Sequence, residues 1–194
     1  MFKKGIISPI VSRNVKLFHP HLYLTFRGET GEFFPYSDTG RKMKTLELFA
    51  THPVFSLDEA TTVLKLQGGR AGTVERLKYH VETGRLKLVI RGVYAVVPPG
   101  AKAEEFRPDP FLVAAAFRPE GVFSHHSALE LLGVAHSVWN ECTLYTEGRR
   151  RPLLVNGTTV RFLEHPAPMR TESGGHLGTR KIERQGKLLL TTGP

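Results

Sequence analysis

Between Leu46 and Val97 the apolar positions change period, from the three-and-four spacing of helices to the alternation of strands. Leu46, Phe49 and Ala50 share one face of a helix expected over about Lys44 to Thr51, and His52-Pro53 ends it because proline cannot continue the hydrogen-bond ladder. A second helix opens at Ser56, where Glu59 completes a capping box and Leu57, Ala60 and Leu64 repeat along one side. Gly68 and Gly69 permit a tight turn. A third helix is expected from about Arg70 or Gly72 to Thr83, closed by Gly84. On its wheel Val74, Leu77 and Val81 are expected to face a core, with Thr73, Glu75, Arg76, Tyr79 and Thr83 opposite and Lys78 at the flank. From Arg85 the period becomes two. Leu86, Leu88 and Ile90 are expected inward, Arg85, Lys87 and Arg91 outward, and Arg91-Gly92 makes the turn of a hairpin.

A helix, a turn, a basic helix and a basic hairpin in that order suggest a winged helix-turn-helix, a DNA-binding device. Thr73 and Arg76 are then expected at base edges, Lys78 and Tyr79 at phosphates, and Arg91 at the wing tip; Arg70 and Lys87 complete the candidate set. Any one of these cations alone is more often a solvated surface group. The arrangement as a whole favours double-stranded DNA.

The flanks read differently. Residues 1–42 hold scattered prolines and glycines without sustained period, and are expected to be a basic extension, either a disordered arm or sequence upstream of a true start at Met43. Only the stretch from His21 to Phe26 alternates, as a lone strand would. The expected reader occupies 43–98, and Pro98-Pro99-Gly100 opens a linker over 99–107. Residues 108–194 are expected to form a small α+β domain, so the fold class is α+β throughout. Its parts are a helix over Pro110 to Phe117, a strand at Val122 to Ser124, a helix led by Ser124 or His125, a strand over Cys142 to Thr146, a hairpin turning at Asn156-Gly157 and a last strand over Lys187 to Thr191.

Charge sharpens the picture. The net charge is +9, which favours a polyanionic partner. The excess lies early: 7 basic against 3 acidic residues over 1–42, 8 against 5 over 43–100, and 12 against 10 over 101–194. Arg149-Arg150-Arg151 is a compact basic run that suits nucleic acid or a partner, and equally a solvated tip. No apolar run approaches a membrane span and nothing reads as a signal peptide, so the expected location is cytoplasmic, with no membrane partner. The single cysteine, Cys142, excludes an internal disulfide. His125-His126 points its rings about 100° apart on a helix, which does not grip one ion, and no HExxH, nucleophile elbow or phosphate loop is present. No metal, cofactor or catalytic set is expected. The chain reads as a binder.

Three segments together carry a resemblance. These are Arg91-Gly92-Val93-Tyr94-Ala95-Val96-Val97-Pro98, the run Phe123-Ser124-His125-His126-Ser127-Ala128-Leu129-Glu130-Leu131-Leu132-Gly133 after Asp109-Pro110-Phe111, and Arg149-Arg150-Arg151-Pro152. From about Thr45 to Pro194 the chain resembles the AbiEi family, the antitoxins and transcriptional regulators of type IV toxin–antitoxin systems. The resemblance implies a repressor whose winged helix binds inverted repeats in its own promoter. It also implies a C-terminal domain that counteracts a nucleotidyltransferase toxin without a stable complex, and no enzymatic activity. Family members continue beyond the point where this chain stops at Thr192-Gly193-Pro194, so an incomplete C-terminal domain is expected. The alternative is a nuclease-associated or endonuclease-like protein with an N-terminal winged helix.

Overall fold

The computed structural model describes residues 25–27, 33–35, 39–148, 150–166 and 178–193. The chain forms two compact units, Met1–Thr39 and Gly40–Pro194. In the first, β1 (Thr25–Arg27) pairs antiparallel with β2 (Phe33–Pro35), Phe26 opposite Phe34. The expected lone strand is therefore one arm of a hairpin where it is described; residues 21–24 and most of 1–42 lie outside the described residues.

The second unit is mixed α+β. It opens with α1 (Thr39–Thr51), which starts before the expected Lys44. The short strand β3 (Val54–Ser56) leads into α2 (Leu57–Leu64). The capping box is complete: Glu59 N–H donates to Ser56 Oγ at 3.1 Å, and Ser56 N–H to Glu59 Oε2 at 2.7 Å. Satisfying two otherwise orphaned amides fixes where the helix begins. After a left-handed Lys65 and Gly68 comes α3 (Gly69–Glu82). It ends in a Schellman motif, in which Gly84 (φ 71°) donates to Val81 O and Arg85 to His80 O. Strands β4 (Leu86–Ile90) and β5 (Val93–Val96) follow, and the sheet order is β3-β5-β4, all antiparallel.

This sheet is covered on both faces. Phe55, Tyr94 and Leu86 join Leu48, Leu57, Ala60, Leu64 and Leu77 in a core beneath the helices. Val54, Val93 and Ala95 point the other way, into a second core built around α4 (Pro110–Phe117). A strand covered on both sides loses its apolar–polar alternation, and Val93, Tyr94 and Ala95 are accordingly all buried. The segment 99–107, expected as a linker, thus joins two halves that share a core.

The α4 helix is buried all round over Phe111 to Ala116. Asp109 caps it by accepting from Phe111 N–H at 2.9 Å, and Pro110 sits in the first turn, where no amide is lost. Beyond it are β6 (Val122–Phe123), α5 (His125–Leu131), β7 (Glu141–Thr146), β8 (Leu153–Val155), β9 (Thr158–Glu164), β10 (Thr179–Arg184) and β11 (Lys187–Thr192). They make a six-stranded sheet in the order β10-β11-β6-β7-β9-β8, with β11–β6 and β7–β9 parallel. Asn156 (φ 52°) and Gly157 (φ 87°) form the two-residue turn between β8 and β9 that the Asn-Gly pair predicts. Phe123, Cys142, Leu144, Val160, Phe162 and Leu189 line the face toward α4. The opposite face carries Glu141, Thr143 and Tyr145 from β7 and Thr159, Arg161 and Leu163 from β9, partnered in register. No described helix is long and apolar enough to cross a membrane.

Candidate nucleic-acid interface

The corner between α2 and α3 is set by backbone contact. A Cβ at Gly72 would stand 2.4 Å from the Gln67 carbonyl oxygen, so only glycine lets α3 pass this close to the turn. Gly68, in the left-handed region (φ 85°), brings the chain into that approach. On the far side, the β4–β5 turn is tied to the start of α2 by Leu57 N–H donating to Gly92 O at 2.8 Å. The start of α2, the exposed side of α3 and the Arg91–Gly92 turn therefore belong to one rigid frame.

The phase of α3 differs from expectation. Its buried stripe is Thr73, Leu77 and His80, while Val74 is exposed. The helix is turned by roughly 65° from the wheel drawn on apolarity, at 100° per residue. Thr73 is 0% exposed and its Oγ1 donates to Gly69 O at 2.9 Å, so it cannot reach a base edge. The cause is local. A threonine that returns its hydroxyl to the carbonyl four residues back presents only a methyl group, and buries as readily as valine. The same slip occurs on α1, where Thr45 and Leu48 are buried and Leu46 is exposed.

The other candidates divide. Tyr79 is 57% exposed, its ring edge-on to His80. Lys78 is exposed and pairs with Glu82 at 3.9 Å, one turn on. Arg76 is half-buried beside the buried stripe of α3, close enough to His80 for its charge to be felt there, and Arg91 is exposed at the turn. Arg70 is exposed and forms an ion pair with Asp58 in the first turn of α2. Lys87 corrects another expectation. It is half-buried and donates from Nζ to Phe106 O at 2.7 Å and Glu104 O at 3.3 Å, bracing the 99–107 segment rather than facing outward. A bulge between Leu88 and Ile90 further breaks the expected alternation, leaving Leu88 51% exposed while Val89 and Ile90 pack on the α4 core. Arg150 and Arg151 are exposed on the connection from β7 to the edge strand β8; Arg149 lies outside the described residues.

Three titrating groups depart from their usual range. Burial holds the His80 imidazole below its ordinary value, with Arg85 and Arg76 adding repulsion. Burial raises the Tyr94 phenol, partly opposed by Arg70. Burial pushes the Cys142 thiol up to about 12, a protonated and inert group at neutral pH. Among the described residues no three His, Cys, Asp or Glu side chains gather as a metal-ligand set. His125 bonds through Nδ1 to Ser124 Oγ at 3.0 Å and His126 donates from Nε2 to Ser137 O at 2.8 Å, so the two rings serve different neighbours.

Sequence reasoning missed two contributors. From sequence Gly72 reads only as a candidate start of α3, although its spacing from the Gly68-Gly69 pair is the signal of a second close approach. Lys187, on β11, reaches Glu59 Oε1 at 2.9 Å and so holds the capping box of α2 from a distant strand; no local pattern announces such a contact. No protein-family model matches this chain, and no curated protein matches it.

Proposed function

We propose that the unit from Gly40 binds double-stranded DNA through a winged helix-turn-helix made of α1, α2, α3 and the β3-β5-β4 sheet. One observation carries the reading. The glycine-set corner of α2 and α3 and the turn of the β4–β5 hairpin form one frame, with Arg76, Lys78 and Tyr79 along α3 and Arg91 at the turn. In this reading α3 enters the major groove and the hairpin turn meets the adjacent backbone. Arg76 takes the base-edge role, Lys78 exchanges Glu82 for a phosphate, and Arg91 meets the sugar–phosphate backbone. Thr73 and Lys87 have no part in it.

The AbiEi resemblance extends the proposal to operon autoregulation. The DNA is then an inverted repeat upstream of the chain's own gene, and residues 108–194 counteract a nucleotidyltransferase toxin. The test is fluorescence anisotropy with the DNA upstream of this reading frame. Combining Arg76→Ala with Arg91→Ala is expected to weaken binding about tenfold or more. The slope of log K against log salt should flatten by about one for each cation withdrawn from a phosphate. Unchanged affinity in the double variant sinks the assigned face. Co-expression of residues 40–194 with the neighbouring toxin gene tests the second half separately, growth rescue being the expected result.

A further inference from the structure

The face of the six-stranded sheet away from α4, which β9 leaves exposed, holds a second site. Beside it, Trp139 is unusually well fixed for a residue so exposed. Its backbone N–H donates to Glu130 Oε1 at 3.2 Å and its indole N–H to Ser137 Oγ at 3.1 Å. One face of the indole stacks on His126, with centroids 4.5 Å apart and planes 17° from parallel. His126 is itself held by the Ser137 carbonyl and by Glu130 at 3.2 Å. Yet Trp139 remains 55% exposed. A large aromatic ring that is immobilised and left in water has already lost its rotational freedom, so little further entropy is lost when a planar partner stacks on it.

The ring borders a hollow of about 170 Å³ lined also by His125, Glu141, Thr143, Arg161 and Leu163. Arg161 donates from Nε to Glu141 at 2.9 Å across the parallel β7–β9 pair. A guanidinium carries five N–H donors in a planar fork, more than one carboxylate takes up, and the fork matches a phosphate. An ion pair this exposed contributes little to stability. His125 stands in the left-handed region (φ 54°), an uncommon conformation for a residue other than glycine, and its ring packs on Tyr145. The exposed Arg150 and Arg151 lie on the connection that returns along the same edge of the sheet.

We propose that this face binds an unpaired nucleotide, free or within a single strand, its base stacked on Trp139 and its phosphate held by Arg161. An exposed aromatic ring beside an arginine on a strand surface is the chemistry that recognises single-stranded nucleic acid, because every base offers a π-face and every linkage a charge. Duplex DNA hides its bases and does not fit. The proposal stands independently of the α3 reading, since none of its residues belongs to that frame.

Trp139 is the only tryptophan in the chain, so its fluorescence reports the site directly. Titrating the full chain with oligouridylate, oligothymidylate and adenosine monophosphate is expected to give saturable quenching with at least one of them. Quenching by the strands but not the monophosphate assigns a strand site; quenching by the monophosphate at comparable affinity assigns a free nucleotide. Arg161→Gln should weaken the response tenfold or more, and Trp139→Ala should weaken binding of a labelled strand, read by anisotropy, about tenfold or more. Arg76→Ala combined with Arg91→Ala should leave single-strand binding unchanged while weakening duplex binding. Equal thermal melting of the variants keeps the comparison clean. No quenching by any probe, or an Arg161→Gln protein that binds as tightly as the parent, overturns the proposal.

Discussion

The two sheets of the second unit meet water differently. The β3-β5-β4 sheet is wrapped, with helices on one face and the α4 core on the other, so consecutive residues of β5 are buried. The six-stranded sheet is buried toward α4; on its other face Thr143 of β7 is also buried, while Leu163 (37% exposed) and Arg161 of β9 stand in solvent. A wrapped sheet serves as a frame: it holds α2 and α3 at a set angle and offers nothing of its own strands to a ligand. A strand open on one face, as β9 is, keeps its alternation, which leaves every second side chain available for chemistry.

Substitutions on the two faces of the larger sheet test this contrast most strongly. Phe123→Ala removes a fully buried ring and is expected to cost about 3–5 kcal/mol in denaturant unfolding. Leu163→Ala on the open face should cost under about 1 kcal/mol. A cost at Leu163 close to that at Phe123 would show that something covers the face.

A smaller effect tests whether the wrapped frame depends on the larger sheet. Lys187→Ala leaves Glu59 with only its capping role and is expected to cost about 2 kcal/mol, typical of a hydrogen bond to a charged group. If unfolding is unchanged, the Lys187–Glu59 contact does not brace α2 and the shared core alone joins the two halves.

The smallest effect concerns acid. His80, on the buried side of α3 and edge-on to Phe49, is held below its ordinary value by burial first and then by Arg85 and Arg76. The unfolded chain therefore binds a proton that the folded ring refuses. The contribution of His80 to stability is full above pH 6.5, the ordinary value, and is lost as pH falls from there through the lower folded value. His80→Phe should flatten that part of the stability–pH curve. An unaltered curve would mean that this ring is not shielded by the wrapped core.

Local chemistry made much of the fold legible. Ser56 and Glu59 announce where α2 starts, Gly84 where α3 ends, Asp109-Pro110 where α4 starts and Asn156-Gly157 where β8 turns into β9, because each acts on backbone atoms within a few residues of itself. Strands that depend on distant partners were harder to see. The three-residue β3 and the charged edge strand β10 have too little apolar pattern to stand out, and both exist through pairing with β5 and β11.

Facing was the least legible property, and it matters most for the candidate sites. Apolarity placed Val74 inside and Thr73 outside, and the fold reversed them, because Gly72 sets how α3 crosses α2 and the Thr73 hydroxyl is satisfied within its own helix. Charge placed Lys87 outside, and the carbonyls of 104 and 106 draw it in. The order of residues alone specified most of the elements, their caps and turns, and the basic excess of the first half. Packing chose which sheet is wrapped, which face stays open and which cations reach solvent, since those depend on contacts between residues far apart along the chain.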